Sequence, residues 1–310
     1  MVSGMNSEKI KNNRKRRHHV SLDTRHVPLF LMIPAIVFAV AMRYGPSGIG
    51  VAFSFTDWTG LTWDPNFVGF GNYIKIFTDP FAQTAVKNTL MISFLLVVFS
   101  NVIGLLLALV LQKKFKLRNL YRALFFLPFA VSYLATGYIW QYILTFEGPF
   151  NQALGLIGLE NMKRAWLFDP DTAIYTIIVV MVWQYVGLTM VIYLAGLEGI
   201  PDELNDATAV DGAKRWIKFR KVTLPLLTPA IAVATLLTMV WSLASFDQII
   251  SLTNGGPAGA TETMATQVYK SSFRHGVFGY GAAFATVLAM MIACFALLQR
   301  YLTRKMEERI

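Results

Sequence analysis

Stretches of about twenty mostly apolar residues recur six times along this chain, separated by polar loops, and each run is too long for a helix turning one face to a soluble core. A helix crossing the roughly 30 Å hydrocarbon layer needs about 20 such residues, and its internal hydrogen bonds satisfy the backbone where water is absent. The pattern predicts spans at 28–55, 88–111, 123–145, 173–194, 227–250 and 282–302. The first is interrupted by Arg43 and by Gly45-Pro46, where a bend or surfacing of the helix is expected. The expected fold class is all-α integral membrane, with six transmembrane helices.

Composition agrees: 55% of the 310 residues are hydrophobic and only 15% charged, which is more apolar surface than a water-soluble core could hide. Lys and Arg are retained on the cytoplasmic side of a membrane, so their distribution sets orientation. Twenty-one of them fall in the tail before residue 28, in 112–122, in 198–226 and from Arg300 onward. Six lie on the other side: Lys75, Lys87, Lys163, Arg164, Lys270 and Arg274. Both termini are therefore predicted to be cytoplasmic. The net charge of +10 is explained by these short basic loops rather than by nucleic-acid binding. The run Arg14-Lys15-Arg16-Arg17-His18-His19 reads as a tail on anionic lipid headgroups, and a cleaved leader is not expected.

Several chemistries are not supported. The lone Cys294 falls inside the last span, and His18, His19, His26 and His275 have no partners at metal-ligand or nucleophile spacing. No G-x-x-x-x-G-K-[ST] segment occurs, and the cluster Gly45-Pro46-Ser47-Gly48-Ile49-Gly50 lacks the lysine of a phosphate cradle. The chain is expected to hydrolyse no ATP and to hold no metal or cofactor of its own.

The loops are of two kinds. Those on the outer side are long and aromatic, with Trp58, Trp63, Phe67, Phe70 and Tyr73 in 56–87 and Trp166 and Phe168 in 146–172. Interfacial packing and a landing surface for an external protein both suit them. The inner loop 198–226 reads as two short helices. Pro201 fits a first turn, Asp202 and Glu203 complement the helix dipole, and Gly212 allows the chain to reverse. Trp216, Ile217 and Phe219 then form an apolar edge among Lys214, Arg215, Lys218, Arg220 and Lys221, before Pro225 and Pro229. Such a projection could lie on headgroups or insert into a cleft of a cytoplasmic protein.

Asp206-Ala207-Thr208, three residues, Gly212, nine residues, Val222, one residue, Leu224-Pro225 resembles the EAA loop of binding-protein-dependent ABC importer permeases, with Asp for Glu, Thr for Ala and Val for Ile. Phe246-Asp247-Gln248-Ile249-Ile250-Ser251-Leu252-Thr253-Asn254-Gly255-Gly256-Pro257, Phe278-Gly279-Tyr280-Gly281-Ala282-Ala283 and Phe67-Val68-Gly69-Phe70-Gly71-Asn72-Tyr73 resemble carbohydrate permeases of the MalF/UgpA type. The likeness runs from about Ser54 to Arg300.

The resemblance implies a type I ABC importer permease fold in the plasma or inner membrane of a bacterium. It also implies a second related permease, an ATPase dimer carrying ATP and Mg, and an extracytoplasmic solute-binding protein, with membrane lipid around them and no nucleic acid. By the same resemblance, 1–27 is a basic cytoplasmic tail, 28–83 a first helix and outer loop, 84–302 the permease domain with coupling loop 198–226, and 303–310 a second tail. Coupling to the ATPase is expected at Asp206, Ala207, Thr208, Asp211, Gly212, Trp216, Phe219, Leu224 and Pro225, with Asp206 either capping the turn or meeting the ATPase.

The family's substrate-facing stretches fall on Trp183, Gln184, Tyr185 and Leu188, and on Thr238, Trp241, Ser242 and Ser245, whose spacing shares one helical face. An aromatic ring can stack on a sugar while hydroxyls bond its OH groups; equally, such residues can simply join neighbouring helices. No cation lies near the midplane of spans four to six, Arg300 standing at the inner end of the sixth, and Asp247 would repel an anion, so a neutral mono- or oligosaccharide is expected. The competing readings are a permease for a non-carbohydrate solute such as a glycerol phosphate ester and, further off, an ion-coupled secondary transporter or a membrane enzyme.

Overall fold

The computed structural model describes residues 32–61, 64–201, 203–204 and 214–308. Among these no strand occurs, and Thr56 and Phe67 form an isolated bridge. In chain order the helices are α1 (Ile33–Phe53), α2 (Gly71–Thr78), α3 (Pro80–Leu111), α4 (Arg118–Ala130), α5 (Tyr133–Ile143) and α6 (Pro149–Leu156). There follow α7 (Pro170–Glu198), α8 (Arg215–Leu226, with a π turn at Phe219–Thr223), α9 (Thr228–Leu243), α10 (Asp247–Leu252), α11 (Met264–Tyr269) and α12 (Phe278–Glu307). By length and composition α1, α3, α7 and α12 could each cross a membrane, and the bent pairs α4–α5 and α8–α9 would bring the number to six.

The chain divides into two compact units, 1–49 and 50–310. Most of α1 belongs to the first. It runs unbroken through Arg43 and Pro46, so the interruption expected there is not seen. Pro46 removes the backbone donor to Met42 O, and Ser47 Oγ donates to the next carbonyl, Arg43 O, at 3.4 Å.

The second unit is built on α3 and α7. Both begin with the same device: an N-cap aspartate, Asp79 or Asp169, accepts from a backbone N–H two residues on, and a proline occupies the first turn. At Gly104 the two backbones meet, because a Cβ there would lie 2.9 Å from Met190 N. Thr189 Oγ1 donates to Ser100 O at 2.7 Å across the same contact. With α4, α5, α9 and α10 packed round it, α7 is apolar on every side and supplies much of the core: Ile177, Met181, Tyr185 and Met190 are almost fully buried.

Two predicted spans are not continuous. The third is α4 and α5, meeting at 96°. Pro128 weakens the end of α4, Val131 turns extended, and Ser132 opens α5. The backbone freed by the break is satisfied internally, since Gln184 Nε2 donates to Val131 O at 3.1 Å and Thr136 N to Ser132 O at 2.9 Å. The fifth begins as α9, which meets α8 at a 67° bend flanked by Pro225 and Pro229, and α9 ends at Leu243 rather than at 250. The chain restarts as α10, which packs beside α5 and α7: Ile249 and Leu252 join the cluster of Ile177 and Met181, and Gln141 Nε2 donates to Leu252 O at 3.2 Å.

The segments that resembled sugar permeases are anchors of this unit. Asn72 Nδ2 donates to Ser54 O and Thr56 O at 2.9 and 2.8 Å. Gly279 N–H donates to Trp58 O at 2.9 Å, and Thr56 O occupies the place a Cβ on Gly279 would need. From α3, Asn88 Nδ2 holds Ala260 O and Glu262 O at 2.8 and 2.9 Å. Glu262 in turn pairs with Lys270 and accepts from Thr266 Oγ1, while Lys270 Nζ also donates to Asn254 O at 2.7 Å. The stretch between α10 and α12 is thus tied both to itself and to α3.

Candidate functional site

Four rings converge where α4 breaks into α5. Phe129 comes from α4, Tyr133 from the first turn of α5, Tyr185 from α7 and Trp241 from α9. Tyr133 stacks on Tyr185 with centroids 5.7 Å apart and planes at 20°, and Trp241 lies 5.9 Å from Tyr185 and 5.7 Å from Phe129. Tyr185 is buried behind the others, whereas Phe129, Tyr133 and Trp241 are half-buried and form an aromatic wall. Of these rings the sequence argument named Tyr185 and Trp241. It missed Phe129 and Tyr133, whose signal was an aromatic pair four residues apart, one directly after Pro128 and the other directly after Ser132.

The other residues expected at the substrate lie differently. Gln184 is fully buried, donating to Val131 O and Thr136 Oγ1 and accepting from Gln248 Nε2 at 3.3 Å, so its amide holds the break. Thr238 is also buried, donating to Ala234 O and accepting from Asn101 Nδ2 at 3.0 Å, and Asn101 Oδ1 accepts from Tyr193 OH at 2.7 Å. Ser242 bonds back to Met239 O. Ser245 falls beyond the end of α9, so the shared helical face extends only to Ser242. The Ser245 hydroxyl is buried without a protein partner among the described residues. Leu188 is half-buried. Trp183 points away from the wall: it meets Trp140 edge-on at 5.3 Å and lines a cavity of about 630 Å³ with Leu124, Phe125 and Pro128.

At the far end of α3 and α7, α8 carries the apolar edge expected from the sequence. Trp216 is largely exposed, and its ring lies 5.8 Å from that of half-buried Phe219. Both line a cavity of about 860 Å³, with Leu106, Leu109, Leu197 and Ile200 as apolar wall and Lys113, Arg215 and Lys218 as cations. Leu224 and Pro225 are half-buried at the base of α8. Asp206, Ala207, Thr208, Asp211 and Gly212 lie outside the described residues.

A bundle of membrane-length helices with a buried polar and aromatic centre, and an amphipathic helix at one end, is the form of a transporter's membrane subunit. Residues 100–308 match the binding-protein-dependent transport system inner membrane component family, and the chain belongs to it. A probable ABC transporter permease protein of Pyrococcus horikoshii is 37% identical over 93% of this chain and 99% of its own length. The multiple sugar-binding transport system permease protein MsmF of Streptococcus mutans is 34% identical over 90% of this chain and 95% of its own. Among solved structures, a bacterial ABC transporter involved in importing the acidic polysaccharide alginate superposes with a TM-score of 0.77 at 25% identity, covering 89% of this chain and 95% of that one. The chain therefore has the fold of an ABC importer permease, a transport component of the inner membrane.

Proposed function

We propose that this chain is one of two permease subunits of an ATP-driven importer for a neutral mono- or oligosaccharide. It crosses the membrane six times with both termini in the cytoplasm, a reading that rests on the bias of Lys and Arg toward the tails and the 112–122 and 198–226 loops. It performs no chemistry. ATP and Mg are bound by a partner ATPase pair, and a solute-binding protein delivers sugar from outside.

The observation that carries this reading is the likeness, over nine-tenths of the chain, to the Streptococcus mutans permease named for multiple-sugar transport. The aromatic wall gives it a physical basis, because Phe129, Tyr133 and Trp241 offer apolar faces on which a pyranose can stack. Trp241 is the strongest of the expected contacts. Tyr185 supports the wall from behind, Gln184, Thr238 and Ser242 shape it, and Trp183, Leu188 and Ser245 are peripheral.

Coupling runs through the loop 198–226. Asp206, Ala207, Thr208, Asp211, Gly212, Trp216 and Phe219 meet the ATPase, and Leu224 and Pro225 join α8 to the bundle. Closure of the ATPase pair would draw two such loops together and re-aim the helices above them. Uptake by proteoliposomes holding the complex, purified through a tag on this chain, tests the proposal. ATP-dependent uptake of labelled neutral oligosaccharides is expected; preference for sugar phosphates or uronic-acid oligomers would overturn the substrate reading.

A further inference from the structure

We propose that α4 is a rocker arm linking the coupling loop to the aromatic wall, pinned at one end by Arg122 and seated at its middle on Gly187. The inference rests on the coupling role given to 198–226 and adds the route by which that loop reaches the substrate.

One guanidinium joins three helix ends. Arg122 Nη2 donates to Leu111 O, the last carbonyl of α3, at 3.0 Å, and to Glu198 Oε1, at the last residue of α7, at 2.9 Å. The carbonyl is one of those a helix C-terminus leaves unpaired, and the bond to the carboxylate is charge-assisted. Glu198 is followed directly by Gly199 and the loop, so a tilt of the loop reaches this carboxylate through no intervening side chain. Arg122 Nε is buried and has no protein partner among the described residues.

One turn further, α4 rests on α7 backbone to backbone. A Cβ on Gly187 would overlap Phe125 O and lie 2.7 Å from Phe126 Cα. With no side chain between them, the two backbones touch at this point of the longer α4–α7 contact, and α4 tips about it. Beyond it stand Phe129 and the break, held by Gln184 at Val131 O. Arg122 is three residues from the seat at Phe125, and Phe129 is four residues beyond it. At about 1.5 Å per residue the two arms are roughly 4.5 and 6 Å long. A shift at the pin is therefore returned at the wall with similar amplitude and opposite sense. Arg122 is thus a positioning residue that reaches the substrate only through Phe129 and Tyr133.

The test uses the whole complex in proteoliposomes and reads solute imported per ATP hydrolysed. Arg122→Glu and Glu198→Arg should each lower that ratio about tenfold while ATP hydrolysis continues, and the double reversal R122E/E198R should recover at least a third of it. An unchanged ratio in the single variants, or a double variant no better than they are, would overturn the proposal. If the single reversals do not assemble, Arg122→Lys is read instead, because it keeps the charge and loses the planar fork. A lowered ratio with hydrolysis intact supports the pin, and a normal ratio refutes it. Failure of the import reading itself shows separately, as an unmutated complex that takes up no solute.

Discussion

Replacing Gly104 with alanine should loosen the central helix pair. The new Cβ would lie 2.8 Å from Thr189 Cβ and 2.9 Å from Met190 N, where carbon contacts ordinarily sit at about 3.5–4.0 Å. Neither neighbour is the free end of a flexible chain, so α3 and α7 must part locally by roughly 1 Å. That movement also strains the bond from Thr189 Oγ1 to Ser100 O. Overpacking of this kind costs about 1–3 kcal/mol, and an interhelical hydrogen bond in a membrane bundle adds about 0.6 kcal/mol. Alanine's better helix propensity returns up to about 1 kcal/mol. The net expectation is a loss of about 1–3 kcal/mol, measurable by SDS-titrated unfolding in mixed micelles. Gly71→Ala is the control, since its Cβ meets only Val68 Cβ and Cγ2 at 3.8 and 3.9 Å and should change little. Equal stability of Gly104→Ala and the unmutated chain would refute the claim that these backbones are in direct contact.

Other expectations follow from the same geometry. Trp241→Ala and Phe129→Ala should reduce sugar uptake while the complex still assembles, whereas Ser242→Ala should have little effect because its hydroxyl is bonded to its own helix; equal uptake defects in all three would contradict the assignment of the wall. Lys270→Met leaves Glu262 buried without its cation and should destabilise the segment between α10 and α12 by about 3–5 kcal/mol, with K270M/E262Q markedly better, as read by thermal unfolding. Asp57 accepts from Asn66 N and Nδ2, which holds its carboxyl below the ordinary value of 3.8. This tie is complete above the unfolded carboxyl's pKa and is lost as pH falls through the lowered folded value, so cleavage next to Asp57 and Asn66 should rise only in strong acid, and Asn66→Ala should move that onset toward higher pH.

Hydropathy located the spans because each needs a long apolar run, whatever its internal shape. The same property hid the breaks. Both α4 and α5 are apolar, so residues 123–145 read as one helix, although Pro128 and Ser132 carried the signals of an end and a start. Residues 227–250 likewise joined α9 to α10, since Ser242, Ser245, Asp247 and Gln248 are too few to interrupt the apolar run. In the opposite direction, Arg43 and Pro46 looked disruptive where α1 runs on. Trp241 was legible as a candidate contact from its type and place, but the commitments of Gln184 and Thr238 were not, because their partners Val131, Asn101 and Gln248 lie on other helices or across a break. Arg122 was counted only as a loop charge, and Glu198 only marked the start of the inner loop. Their pairing depends on three helix ends meeting, which spacing along the chain does not show.

The central claim is that work done by an ATPase enters this chain at α8. A photo-crosslinking amino acid placed at Phe219 in the intact complex tests it most directly. The account predicts an adduct with the ATPase subunit whose yield changes when a non-hydrolysable ATP analogue is bound; adducts confined to lipid or to the external solute-binding protein would contradict it.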